Sequence, residues 1–202
     1  MNDIEERLRA ALTKVPPGLA GHVLRVVDEA ARLAHIHGVD AQAARIAALG
    51  HDLLRAHSDG RLLTIAEEQS AAIDPVDRLE PVLLHGPLAV PILREQYGVI
   101  DADVLGAVAA HTTAAPRMSR LQKLLFVADK IEPHKADGRA PVQRVRELAD
   151  SDLDAALRAY LDYHVLVALD ERWPLHPNTI AARNELVAAE RVAGRQNRGS
   201  RT

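Results

Sequence analysis

The sequence predicts an all-α protein. Three observations carry this: apolar residues recur at helical spacing along the chain, period-2 alternation is sustained nowhere, and capping residues flank the apolar runs. The first long run, Leu19 to Gly38, places Val23, Val26, Val27, Ala30, Leu33 and Ala34 on one face and stops at a glycine. Asp40 caps the next helix, where Ala44, Ala47 and Ala48 lead up to His51. Residues 61–73 read as a weak helix closed by the turn Asp74-Pro75. Pro87 suits the first turn of a helix running to Tyr97, which Gly98 ends. Asp101 opens a further helix through Val104 and Val108 to His111. After a loop over 111–119, Ser119 caps the most apolar helix, 121–131, which Glu132-Pro133 ends. Residues 133–141 read as a loop, and helices are expected over 142–149, over 151–171 and from Pro177.

A length of 202 residues fits one domain with short appendages. The expected division is an N-terminal helix or linker over 1–17, one domain over 18–190, and a disordered basic tail over 191–202. The absence of cysteine removes thiolate nucleophiles, iron–sulfur clusters and zinc ribbons, and suits a reducing cytoplasm. Any metal must then be held by imidazole and carboxylate. A net charge of -3 and 2% aromatic residues argue against a nucleic-acid partner. The charged start MNDIEERLRA is unlike a signal peptide, and no stretch approaches about 18 apolar residues, so no membrane partner is expected.

Four histidines and two aspartates stand apart from the other polar residues: His22, His51, Asp52, His85, His111 and Asp129. Each lies on, or at the end of, an otherwise apolar segment. Asp129 is the most telling, because Leu121, Leu124, Leu125, Phe126, Val127, Ala128 and Ile131 leave its helix little solvent face. A buried carboxylate must be paired, hydrogen-bonded or metal-bound. Lys130, adjacent in sequence, is expected to point elsewhere on the helix and to be a poor partner. Singly, each residue has a structural explanation, a packed histidine or a buried ion pair. Jointly they suit two Fe, Mn, Zn or Co ions about 3.5–4 Å apart, clamping a phosphoryl group. His35 and His37, at a helix end, are expected on the surface, as are His57 and His134; His164 is expected to pack on a helix.

At these residues the sequence resembles the HD superfamily, whose motif is a distant histidine, an adjacent His-Asp pair and a later aspartate: here His22, His51-Asp52 and Asp129. It is more similar to one branch, the symmetrical bis(5'-nucleosyl)-tetraphosphatases. The matching words are LLHGP with His85, HTT with His111, MS before the apolar helix, ADKIEP with Asp129, and HPNTIAARN. The resemblance implies an HD-domain helical bundle over 18–190 and a centre of two metal ions, commonly iron, with Mn, Co or Zn as substitutes. It implies cleavage of diadenosine tetraphosphate-type dinucleotides into two nucleoside diphosphates through a metal-bridging hydroxide. His22, His51, Asp52 and Asp129 would hold one ion; Asp52 would bridge to a second held by His85 and His111.

Arg55, just after the motif, would contact phosphate and assist catalysis, with Thr112, Thr113, Arg117, Lys135 and Arg139 as further substrate contacts and Arg183 as a weaker candidate. Two loops depart from the relatives. Where these carry Gly-Arg-Pro-Gly after HTT, this chain has Ala114, Ala115, Pro116 and Arg117; where they carry Gly-Arg-Asp after IEP, it has His134, Lys135 and Ala136. The departures leave room for an HD phosphohydrolase or phosphodiesterase acting on another nucleotide, or for a non-catalytic nucleotide-binding module.

Overall fold

The computed structural model describes residues 3–136 and 140–199, and every regular element among them is helical. In chain order the α-helices are α1 (Asp3–Ala11), α2 (Pro17–His37), α3 (Ala41–Gly50), α4 (Asp59–Glu68), α5 (Pro75–Leu79), α6 (His85–Tyr97), α7 (Ala102–Ala110), α8 (Arg120–Ile131), α9 (Pro133–Ala136), α10 (Ala140–Ala149), α11 (Leu153–Glu171) and α12 (Pro177–Gly199). Short 3-10 turns occupy Leu12–Lys14 and Pro81–Leu84. No described helix is long and apolar enough to cross a membrane.

The bundle is organised around α8, which α2, α3, α7, α10 and α11 surround. That placement explains its composition: a helix covered on most sides must be apolar on most sides, and eight of its residues are buried. Its start is set by a capping box, Ser119 with Gln122. The Ser119 hydroxyl also donates to the Asp103 carboxylate, tying the foot of α8 to α7. The helix ends at Glu132, which is extended ahead of Pro133. Around it, Asp40, Ser58, Asp101 and Asp152 cap their helices by side-chain oxygen, and left-handed Gly38 and Gly98 close α2 and α6.

Several boundaries differ from the sequence expectation for local reasons. The weak helix starts earlier, at Asp59, because Ser58 accepts the Arg61 N–H; it stops at Glu68. Asp74-Pro75 does not merely turn the chain, since Asp74 and Asp77 form a capping box that starts α5. Helix α6 begins at His85, two residues ahead of Pro87. The loop after Glu132 contains the single turn α9; residues 137–139, including Arg139, lie outside the described residues. Helix α12 continues to Gly199, so the tail expected to be disordered from 191 is helical over its described part. At the other end, Leu8 of α1 is buried in the common core, and α1 packs on α3 and α6. His37 is half-buried rather than a surface residue: its Nε2 meets the Ala149 carbonyl at 2.7 Å.

Helix α11 seals the far side of α8. Tyr160 packs edge-on against Phe126, ring centroids 5.6 Å apart, and His164 stacks on Tyr160. Phe126 is the chain's one phenylalanine and is 1% exposed. Phe126→Ala is expected to cost about 3–5 kcal/mol, read as a lower urea midpoint; a loss under about 1 kcal/mol would deny α8 its central role. Burial, helped by the nearby Lys130 charge, pushes His164 below its ordinary value of 6.5. The folded chain then binds fewer protons than the unfolded chain just below pH 6.5, so this contribution to stability fades as pH falls through that value. An NMR titration of the His164 ring should show a midpoint under 6.5; a midpoint at or above 6.5 contradicts the packing described.

Candidate metal centre

The six residues singled out in the sequence converge on one point from five helices. His22 comes from the second turn of α2, and Asp129 from the body of α8. His51 and His111 are the C-cap residues of α3 and α7, Asp52 follows His51, and His85 opens α6. All are buried except His22, whose side chain is 13% exposed.

Three of the imidazoles are aimed by the same device. Carbonyls at a helical C-terminus lack an intrahelical partner and can accept from a side chain. His51 Nδ1 meets Ala48 O at 2.6 Å, His111 Nδ1 meets Val108 O at 2.7 Å, and His85 Nδ1 bonds Val82 O of the 3-10 turn. Each bond reaches back three residues and assigns the Nδ1–H tautomer, leaving Nε2 as a lone pair. His22 is aimed instead by a carboxylate: its Nδ1 lies 3.2 Å from Glu132 Oε1. Glu132 is 1% exposed and is held in turn by the Arg25 Nε donor at 2.6 Å and the His134 N–H at 3.0 Å.

The four Nε2 atoms divide between the two oxygens of Asp52. His85 and His111 approach Oδ1 at 3.0 and 3.6 Å; His51 and His22 approach Oδ2 at 3.4 and 3.6 Å. Asp129 Oδ1 lies 3.1 Å from His22 Nε2 and 3.9 Å from His51 Nε2. Two ligand groups result, His22, His51 and Asp129, and His51, Asp52 and His111, each offering donor atoms within 4.8 Å of one another.

The donor set fits cations. With the Nδ1 protons committed, lone pairs face carboxylate oxygens and one another. His51 Nε2 is fully buried with no hydrogen-bond partner, and His85 Nε2 stands 2.9 Å from His111 Nε2. Without a cation such an arrangement must take up protons. Burial opposes a proton on His51, but Asp52 and Asp129 outweigh it and raise its pKa. Burial pushes His111 down to about 4, against the pull of Asp52 and with help from the charges of His85 and His51, so this ring is ligand-ready. Asp52 ionises well below the usual carboxylate range despite its burial, because the His51 charge and the surrounding imidazoles favour the anion. Asp129 is likewise lowered against burial, by Lys130 and Lys135. Metal binding at such a site competes with protonation of His51.

Contrary to the sequence expectation, Lys130 is a partner of Asp129: its Nζ reaches Oδ2 at 2.5 Å and also bonds the His111 carbonyl at 3.2 Å. A long flexible stem lets the ammonium fold back along the helix, which fixed spacing rules overlook. Lys135, expected on phosphate, sits on Asp129 Oδ1 at 2.7 Å. Arg55 is exposed in the turn after Asp52, its N–H bonded to the Asp52 carbonyl. The Thr112 hydroxyl donates to Leu83 O, Thr113 is buried with its hydroxyl on Ala114 O, and Arg117 is exposed with its N–H on Glu185. Arg183 is bound by Asp162 at 2.6 Å.

Glu132, Arg25 and Gly86 were not legible as site residues. A Cβ on Gly86 would stand 2.7 Å from Val108 O and 3.0 Å from the His111 ring, so only glycine lets α6 approach the second pair of histidines. The one available signal for Glu132 was a glutamate directly after an apolar helix and before a proline.

An HD domain family model matches residues 19–134, a span that contains all six converging residues. The symmetrical bis(5'-nucleosyl)-tetraphosphatase of Halalkalibacterium halodurans is 34% identical over 186 residues, covering 90% of this chain and 97% of its own. That of Bacillus subtilis is 32% identical over 83% of this chain and 88% of its own. A solved structure from Clostridium acetobutylicum, described as a predicted HD superfamily hydrolase involved in NAD metabolism, matches with a TM-score of 0.85 and 34% identity, covering 91% of this chain and 97% of its own. With the model matching more than half of the chain and relatives matching most of it, the chain belongs to the HD domain family, in the branch of the symmetrical bis(5'-nucleosyl)-tetraphosphatases.

Proposed function

We propose that the protein hydrolyses dinucleoside tetraphosphates of the diadenosine type symmetrically, into two nucleoside diphosphates, at a centre of two metal ions. The observation that carries this is the division of four Nε2 lone pairs between the two oxygens of Asp52. His22, His51, Asp129 and Asp52 Oδ2 would hold one ion; His85, His111 and Asp52 Oδ1 would hold the other. The names of the relatives supply the substrate class. Bound ions would supply Lewis acidity at phosphoryl oxygen and a water of lowered pKa; iron is the metal the resemblance favours, and Mn, Co or Zn suit the same donors.

The remaining work falls to the chain. Overall, the oxygen of one water joins a non-terminal phosphorus, the central P–O–P linkage breaks, and the water's protons pass to solvent or to the departing diphosphate. Asp52 and the histidine carbonyl bonds hold the donors rigid, so little reorganisation accompanies the reaction. Lys135 pairs with Asp129 Oδ1 at 2.7 Å. Its side chain is 40% exposed and would be a phosphate contact, as would Arg55, Arg117 and Arg139. The departures in the loops 114–117 and 134–139 favour a second reading in which the same centre acts on another nucleotide. A panel of mono-, di- and cyclic nucleotides on metal-loaded protein separates the two.

Anaerobically purified protein loaded with Fe(II) or Mn(II) should convert diadenosine tetraphosphate to two ADP; release of ATP plus AMP, or no turnover with either metal, would falsify the reading. Asp52→Ala should abolish turnover and metal retention together. Glu132→Ala removes the acceptor that orients His22, and should weaken metal affinity by about 10–100-fold while the helical circular dichroism is kept. Metal affinity unchanged in that variant would show that Glu132 does not position His22.

A further inference from the structure

A cleft of about 460 Å³ lies beside the metal centre, bounded by the Pro81–Leu84 turn, the Thr112–Thr113 corner and the segment from Trp173 to His176. Its size falls in the usual range for small-molecule sites. The cleft shares its walls with the ligand set. Val82 lends its carbonyl to His85, Thr112 directly follows His111, and the Thr112 hydroxyl on Leu83 O joins the two walls at 3.2 Å. On the inner side His164 stacks on Tyr160, and Lys130 stands over the Tyr160 ring with its Nζ on Asp129. Val82 and Thr112 of the cleft thus connect directly to His85 and His111, and His164 connects through Tyr160 and Lys130 to Asp129.

The contents of the wall suit a nucleoside. Trp173 is the chain's one tryptophan and is 53% exposed, an unusual position for a large aromatic side chain in an aromatic-poor protein. It is presented deliberately by the backbone: Arg172 takes the left-handed conformation, φ 57°, and the Trp173 N–H closes on Ala168 O at 2.9 Å. The same cleft is lined by the apolar Val82 and Leu83 and by the polar Glu80 and His176. His176 Nδ1 accepts the Asn178 N–H at 3.1 Å, so its Nε2 carries a proton and faces Asp77 at 3.6 Å. An exposed aromatic side chain among apolar and polar lining groups suits a stacked base.

We propose that this cleft holds one purine nucleoside of the substrate, its base stacked on Trp173 and its 5'-phosphates running past Thr112 to the metal centre. The proposal rests on the dinucleotide reading above and names the element that recognises the nucleoside. A purine is favoured over a pyrimidine because it offers the larger face to the one aromatic platform in the wall.

Trp173 reports on its own site, because its fluorescence is the only tryptophan signal in the chain. With the metal-loaded full chain, ADP should quench that fluorescence saturably, UDP should bind about tenfold more weakly, and pyrophosphate should compete with ADP without quenching. W173A should raise KM for diadenosine tetraphosphate by about tenfold, the loss of one base stack, with the smaller part of the effect in kcat; W173F should recover most of it. Unchanged pyrophosphate affinity in W173A shows that the variant is folded and metal-loaded. Equal quenching by pyrophosphate and ADP, or an unchanged KM in W173A, overturns the proposal. So does a changed sedimentation coefficient in W173A with KM unaltered, which would make Trp173 a contact between copies of the chain together with the exposed Leu166 and Leu169. Saturable quenching by ADP without cleavage of the tetraphosphate keeps the nucleoside cleft and removes the reaction; cleavage to two ADP with KM intact in W173A does the reverse.

Discussion

Everything in this molecule that bears on chemistry depends on how the Asp52 carboxylate is buried among four imidazoles. Removing such a charge from water costs several kcal/mol unless compensating groups are held close. Hydrogen-bond donors from the imidazoles would compensate, but three of the four rings have given their Nδ1–H to backbone carbonyls and the fourth to Glu132. What faces Asp52 is therefore a set of Nε2 atoms that can bind either a proton or a metal ion. The raised pKa of His51 and the lowered pKa of His111 express the same competition from two sides.

That arrangement constrains the bundle more than the hydrophobic core does. A core of leucine, valine and alanine tolerates volume-conserving exchanges of one aliphatic side chain for another at modest cost. The centre does not, because α3 and α7 must end where their terminal carbonyls can turn a histidine inward, and α6 must begin where a carbonyl of the preceding 3-10 turn can do the same. The weak points of helices, unpaired carbonyls in the last turn, thus become the orienting acceptors. Asp129 differs in coming from the middle of a buried helix, and two lysines, the adjacent Lys130 and Lys135 of α9, pair with it. Gly86 belongs to the same constraint, since the backbone of α7 lies where a side chain would go.

The six converging residues could be read from the sequence because each is a polar group in an apolar context, a signal that needs no coordinates. Helix starts were legible wherever an Asp or Ser stood before an apolar run, as at Asp40, Asp101 and Ser119. The short α5 was not, because its capping box precedes only one turn of helix. Lys130 was misplaced by treating adjacent residues as pointing apart, whereas a four-carbon stem can bring its ammonium back to Asp129. Glu132 and Arg25 were missed for a different reason. Their role depends on two helices, with residues 107 positions apart, meeting at His22, and no local pattern carries that information.

The departures after HTT can be interpreted through the backbone they leave in place. Ala114 and Arg117, at the two positions where relatives carry glycine, both adopt the left-handed conformation, φ 59° and 56°. A side chain there costs on the order of 1–3 kcal/mol. The conformation persists because α12 clamps the corner from outside: Thr179 donates to Thr113 O at 2.8 Å, and Glu185 accepts the Arg117 N–H at 2.9 Å. The glycine-to-alanine and glycine-to-arginine changes therefore alter what the corner presents, not the path it follows. The same clamp holds Thr113 against the cleft beside Trp173, so the last helix, which lies beyond the 19–134 span of the domain model, completes the wall along which a substrate would lie.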